Sequence, residues 1–229
     1  KISNSLETYN KKVDDEQDNY EPGWGEAMET AKPQVQFKEG QSTTAIYAVK
    51  SHGINPMNGK EVFEDLKGNL TYEWSAANKI VCGDTEPKVS GAFGANADWK
   101  GFNINVSFLY QCGGQVYNQT LVDKIENADL RYNVDKRVLQ ERWQKPGDVA
   151  KYKRLTNSVN GSETRPTSRF VMDENTLECR SISLTYDMDE AWCKRHLGLK
   201  YLSVAGYMED VFRLSSMKQE RGLAYPFAR

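Results

Sequence analysis

Asn103, Asn105, Ser107 and Gln111 stand two or four residues apart in one short run. Phe102, Ile104, Val106, Phe108 and Tyr110 fill the alternate positions. Amides and hydroxyls donate and accept hydrogen bonds without carrying charge. Spaced by two along an extended chain, they line one face of a strand. A row of this kind can hydrate a wall, or hold the hydroxyls of a polar ligand. The pattern returns twice. Ser181, Ser183, Thr185 and Asp187 alternate with Ile182, Leu184, Tyr186 and Met188, and Ser203, Ala205, Tyr207 and Glu209 alternate with Leu202, Val204, Gly206 and Met208. The candidate ligand-facing residues are Asn103, Asn105, Ser107, Gln111, Ser183, Thr185, Ser203 and Tyr207. Their face lacks the Lys/Glu coat of an ordinary soluble sheet. Two settings suit it: a half-buried strand of a soluble sandwich, and a barrel wall with lipid outside and a hydrated lumen inside.

The elements that position these rows are strands expected near residues 43–49, 89–97, 102–111, 177–188 and 200–212. Val89, Gly91, Phe93, Ala95 and Ala97 form the greasy set of the first strand of a hairpin closed by Asp98-Trp99-Lys100-Gly101, and Gly113-Gly114 ends its second strand. A phase slip between Cys179 and Ile182 predicts a bulge. A two-turn helix fits 189–197, with Asp189 as cap and Gly198 just past its end. Further back, Lys1 to Val13 reads as a short helix capped by Asn4 or Ser5. Residues 14–32 read as an acidic loop. Glu61–Phe63 and Leu70–Trp74 read as a small hairpin around Lys67-Gly68-Asn69. The stretch from 113 to 167 is one long loop with helical patches at 121–127 and 134–143. Excursions of that length usually carry function.

The short connections at Trp99 and Trp192 fall on one side of the sheet, and the long loops on the other. That asymmetry is a barrel feature. It puts Trp99 and Trp192 at one membrane interface, with Tyr110 and Phe212 approaching the other.

Other chemistry finds little support. His52 and His196 lie far apart, and no GxSxG, Walker or HExxH pattern occurs. Cys82, Cys112, Cys179 and Cys193 form no CxxC pair, so no metal or cofactor is expected. A net charge of -2 gives no nucleic-acid footprint. No window of about 18 apolar residues exists, which excludes a transmembrane helix but not a strand barrel. The chain starts without Met or a signal-peptide pattern and stops after Tyr225-Pro226-Phe227-Ala228-Arg229, so a piece of a longer protein is expected.

Several segments together resemble the C-terminal part of SusC-like (RagA-like) TonB-dependent outer-membrane transporters of Bacteroides-type bacteria. They are GQSTTAIYAV (Gly40 to Val49), GINPMNGKEVF (Gly53 to Phe63), the run from Val81 to Asp123, YNVDKRVLQERWQKPGD (Tyr132 to Asp148), SRF (Ser168 to Phe170) and RGLAYPFAR (Arg221 to Arg229). The resemblance covers nearly all of the chain. It implies an all-β fold: late strands of a large antiparallel transmembrane barrel, about 22 strands in the full protein, with long extracellular loops carrying short helices. Plug and closing strand are absent. It also implies residence in the outer membrane and energised import of glycans or peptides. The implied partners are a SusD-like surface lipoprotein, TonB (through the missing N-terminal part) and outer-membrane lipid. Lid contacts are expected in 115–167 and 217–225. The rival accounts are a soluble β-sandwich carbohydrate-binding module, with Tyr72 and Trp74 as stacking residues, and a barrel or adhesin without TonB coupling.

Overall fold

The computed structural model describes residues 2–18, 32–128, 133–155 and 164–217. The terminal RGLAYPFAR segment and most of the expected contact region 217–225 lie outside them. The described chain divides into two units. One draws on residues up to Glu86 and on Gln115–Met172; the other draws on Pro87–Gly114 and residues 173–217.

The first unit opens with α1 (Ile2–Asp18). Residues 14–18, expected in a loop, are helical, and Asn4 and Ser5 lie inside the helix rather than at its cap. Tertiary contacts extend it: Lys79 Nζ lies 2.6 Å from Asp14 Oδ1 and donates to Gln17 Oε1 at 2.6 Å. Burial pushes the Lys79 ammonium below the ordinary lysine value, although Asp14 opposes the shift. β1 (Ala45–Val49) pairs antiparallel with β5 (Lys79–Asp84), and every β1 residue is buried. A continuous AIYAV run with no polar alternation suits a strand covered on both faces. β2 (Ser51–Ile54), β3 (Glu61–Glu64) and β4 (Leu70–Thr71) make a three-stranded sheet. The hairpin expected around Lys67-Gly68-Asn69 is its β3–β4 edge. Asp65 builds that turn by accepting from the backbone N–H of Lys67 at 2.7 Å and of Asn69 at 2.9 Å.

Residues 113–167, expected as one long loop, are partly built into a core. A helical turn at Gln119–Leu121 runs into a π-turn at Val122–Glu126, and a second turn covers Arg137–Gln140. Leu121, Val122, Ile125, Val138, Tyr152 and Phe170 pack together, with Tyr117, Ala128 and Val134 against them. Polar clasps hold this core. Arg169 Nε and Nη2 each reach a Glu61 carboxylate oxygen at 2.8 Å, and Nη2 also meets Glu126 Oε1 at 2.8 Å. Burial disfavours the Arg169 charge, but Glu61 and Glu126 outweigh it and raise its value overall. Arg142 donates to the carbonyls of Ile125 and Glu126, satisfying acceptors at the end of the π-turn, and also to those of Val138 and Lys153.

The second unit is built on one antiparallel sheet in the order β6-β7-β8-β9: Val89–Trp99, Phe102–Tyr117, Val171–Asp187 and Ser203–Ser215. β6 and β7 run past the expected bounds, β8 starts earlier than expected, and β9 is shifted along the chain, from Ser203 to Ser215 against an expected 200–212. β7 continues past Gly113-Gly114, and β8 begins six residues before 177. Glycine at φ +80 in Gly113 marks an irregularity inside the strand, not its end. The β6–β7 turn is only Lys100-Gly101. Both residues have positive φ (47 and 87), the signature of a tight primed turn. Trp99 therefore pairs with Phe102 as the last rung.

Between β8 and β9 the register shifts between Cys179 and Ser181, where the phase slip predicts a bulge. The extra residue is on β9, where Asp210 takes φ 49. A helix (Glu190–His196) connects β8 to β9. Asp189 caps it by accepting from Ala191 N–H at 3.2 Å, and Gly198 follows at φ 68.

Candidate functional site

Residues directly opposite in an antiparallel pair share a face. In β6–β7 one face holds the rungs Asp98/Asn103, Asn96/Asn105, Gly94/Ser107, Ala92/Leu109 and Ser90/Gln111. In β8–β9 the corresponding rungs are Asp187/Ser203, Thr185/Ala205, Ser183/Tyr207 and Ser181/Glu209. The hydroxyls of Ser107 and Ser181 lie 2.7 Å apart and join the two pairs into one polar face. All eight residues picked from the sequence lie on it. Asn103 donates to Asp98, and the Tyr207 hydroxyl donates to Glu209 Oε1 at 2.6 Å. At 63% exposure Tyr207 is an aromatic ring presented to the surroundings on this face.

Sequence reasoning missed Asn96 and Asp98, which complete two of the polar rungs. Their strand alternates too, but Ala92 and Gly94 thin its polar set to the point where only pairing with β7 reveals it. Ser181, Asp187 and Glu209 also join the face, although they were read only as alternating partners.

The other face is apolar. Its rungs are Trp99/Phe102, Ala97/Ile104, Ala95/Val106 and Phe93/Phe108 on β6–β7, and Tyr186/Val204, Leu184/Gly206 and Ile182/Met208 on β8–β9. Rings bind it across strands: Phe93 stacks on Phe108 at 5.0 Å and Phe102 meets Tyr186 at 4.4 Å. Yet Phe93, Trp99, Ile104, Leu184, Val204 and Met208 are all exposed. Beyond the Ile182/Met208 rung and the register shift, the apolar rungs Cys179/Phe212 and Leu177/Leu214 flank the ionic rung Glu178/Arg213. Arg213 bridges Glu174 at 3.0 Å and Glu178 at 3.3 Å, and Arg180 meets Glu178 at 3.1 Å.

The four expected interface aromatics separate in two groups. Trp99 closes β6 and Trp192 lies in the helix after β8. The backbone N–H of Asp187 donates to the Gly101 carbonyl at 2.7 Å, so both connections occupy the same end of the sheet. Tyr110 and Phe212 lie farther along their strands. Tyr110 is 6.2 Å from Phe93, and Phe212 is 6.4 Å from Phe108 just past the register shift. Among the described residues no group of His, Cys, Asp and Glu is arranged to hold a metal ion.

A sheet polar on one side and openly apolar on the other has the layout of a barrel wall, and the chain's relatives have that architecture. Solved structures of the RagAB peptide transporter superpose with a TM-score of 0.62 over 76% of this chain, at 18% identity. The open-open state of the RagAB peptide importer gives 0.63 over 78%, also at 18% identity. A curated protein of Formosa agariphila, TonB-dependent receptor P39, is 24% identical over 160 residues, 69% of this chain. The chain is similar to part of a SusC/RagA-like TonB-dependent receptor. TonB-dependent receptor P3 of the same organism is 27% identical over 134 residues, or 58% of the chain. No family model matches. The chain spans 15% and 12% of the two curated receptors and 19% of each of the two superposed structures. The fold resemblance of the SusC/RagA-like chain is thus to a piece of the antiparallel barrel. No described helix is long and apolar enough to cross a membrane, which leaves crossing by strands untouched.

Proposed function

We propose that this chain is barrel wall and extracellular loop of an outer-membrane, TonB-dependent importer. The observation that carries the reading is the two-faced sheet. Its amide, hydroxyl and carboxylate rungs suit a hydrated lumen, and its exposed aliphatic and aromatic rungs suit lipid. The eight polar residues line the path of the cargo. Asn96/Asn105 and Ser183/Tyr207 offer it hydrogen bonds and one ring face, a combination suited to glycans, with peptides as the other cargo class. Trp99 and Trp192 mark one membrane interface, and Tyr110 and Phe212 approach the other. A SusD-like lipoprotein covers the extracellular side, with contacts in the 115–167 region. TonB acts through parts of the receptor beyond this chain.

Sequencing the genomic locus through both ends of the chain tests the assignment. The expected result is an upstream plug and earlier strands, a closing strand after Arg229 and a neighbouring gene for a SusD-like lipoprotein. A stop codon directly after Arg229 together with a signal peptide directly before Lys1 overturns it and favours the soluble carbohydrate-binding module.

A further inference from the structure

The β8–β9 connection has a composition that a water-exposed turn does not need. Trp192, Leu197, Leu199 and Tyr201 are all exposed, between 46% and 64%. These four fall within ten residues, around a helix of only seven. The indole of Trp192 stacks on the His196 ring with centroids 5.0 Å apart, and it remains exposed.

The connection also continues the apolar face of the sheet. Below the Tyr186/Val204 rung, Met188 N–H donates to the Leu202 carbonyl at 3.0 Å, adding an apolar Met188/Leu202 step beyond the paired strands. Toward the other end of the same two strands, past the register shift, the apolar rungs Cys179/Phe212 and Leu177/Leu214 follow Ile182/Met208, with the ion pairs of Glu174, Glu178, Arg180 and Arg213 among them. On β8–β9 the apolar rungs run from Leu177/Leu214 to this added step. On β6–β7 they reach from Val89 to the turn at Trp99/Phe102.

The charges fit a headgroup layer. Between 188 and 202 the cations are Lys194, Arg195 and Lys200 and the anions are Asp189 and Glu190. Asp189 is spent as the helix cap, and Glu190 pairs with Lys194 at 2.5 Å. Arg195 and Lys200 lie exposed beside the apolar residues. Basic and aromatic side chains flanking an apolar surface are the composition of a segment lying in a lipid interface.

We propose that the 188–202 connection is an interfacial anchor. Its Trp192, Leu197, Leu199 and Tyr201 lie in the headgroup–acyl boundary of the leaflet on that side, and Arg195 and Lys200 reach lipid phosphates. The proposal rests on the lipid-facing reading of the sheet.

The test uses the full receptor, its native cysteines replaced, reconstituted in bilayers containing anionic phospholipid. Single spin labels are placed at Leu197 and Leu199, with Val106 as a mid-band reference and Lys67 as a water-exposed reference. Collision with oxygen and with a polar nickel complex is measured at each site. Expected is a several-fold fall in nickel collision at 197 and 199 relative to 67, approaching the value at 106. Replacing Arg195 and Lys200 together by glutamine should raise it again at 199. Full nickel access at 197 and 199 with a shielded 106 overturns the anchor and leaves the barrel reading intact. Full access at 106 overturns the barrel reading itself.

Discussion

Arg169 is the residue whose loss should cost the first unit most. It holds two nearly buried carboxylates from separate segments, Glu61 and Glu126, and also donates to the Lys151 carbonyl at 2.6 Å. Replacing it with Met strands two charges away from water, a loss of about 3–5 kcal/mol. The protein carrying Arg169→Met should show a lowered melting temperature in detergent, and adding Glu61→Gln and Glu126→Gln should restore part of it. Equal melting of Arg169→Met and wild type would show that the clasp contributes nothing net.

Asp65 gives a pH-dependent counterpart. Hydrogen bonds from Asn69 hold its carboxylate below the ordinary value of 3.8. A depressed carboxylate contributes stability that is present above the ordinary value and lost as pH falls through the depressed one. Wild type and Asp65→Asn should therefore melt apart at neutral pH and converge as the pH drops below about 4. A gap that persists in acid would contradict the role given to this carboxylate. None of these residue-scale contacts was legible in the sequence. Glu61, Glu126 and Arg169 are separated by long stretches of chain, and nothing local distinguishes them from surface charges.

At the scale of elements, the clearest signal was period-two alternation, and the strands that carry it were legible along with their faces. Boundaries were less so. β7 runs through Gly113 because pairing with β8 outweighs the weak propensity of glycine there: the N–H of Gly113 donates to Asn175 Oδ1 at 2.8 Å. β5 went unread because Lys79, Cys82 and Gly83 interrupt its apolar pattern, and its partner β1 supplies the order. The long loop was misjudged for a related reason. Its core residues Leu121, Ile125, Val138 and Tyr152 are scattered among charges, and only the fold gathers them.

The hairpin turn makes a sharp element-scale prediction. Gly101 has φ +87, and a Cβ there would lie 2.6 Å from the Asp187 carbonyl oxygen. Gly101→Ala must strain the turn and push β8 away, lowering stability by at least about 1 kcal/mol. Lys100→Asn keeps a residue tolerant of positive φ and should be neutral or mildly stabilising. Heat-modifiability of the receptor on gels, with melting by circular dichroism, reads both; an unchanged Gly101→Ala variant would refute the tight-turn geometry.

For the whole molecule, the sheet presents two outer strands, β6 and β9, and an exposed apolar face. Both demand partners. Produced alone, the chain should require detergent to remain dispersed, whereas a monodisperse monomer in plain buffer would favour the soluble module. The polar face was largely legible in the sequence because alternation survives without knowledge of partners. What that face meets was not, since alternation gives the faces of a strand and not the groups that lie opposite them.

The most direct test of the two-faced sheet is a cysteine scan of positions 102–108 in the full-length protein, with native cysteines replaced, in intact membranes. Each variant is exposed to a small, charged, membrane-impermeant thiol reagent. The account predicts labelling at 103, 105 and 107 and protection at 102, 104, 106 and 108. Uniform labelling along the strand, or protection of the polar positions, would contradict a wall with water on one face and lipid on the other.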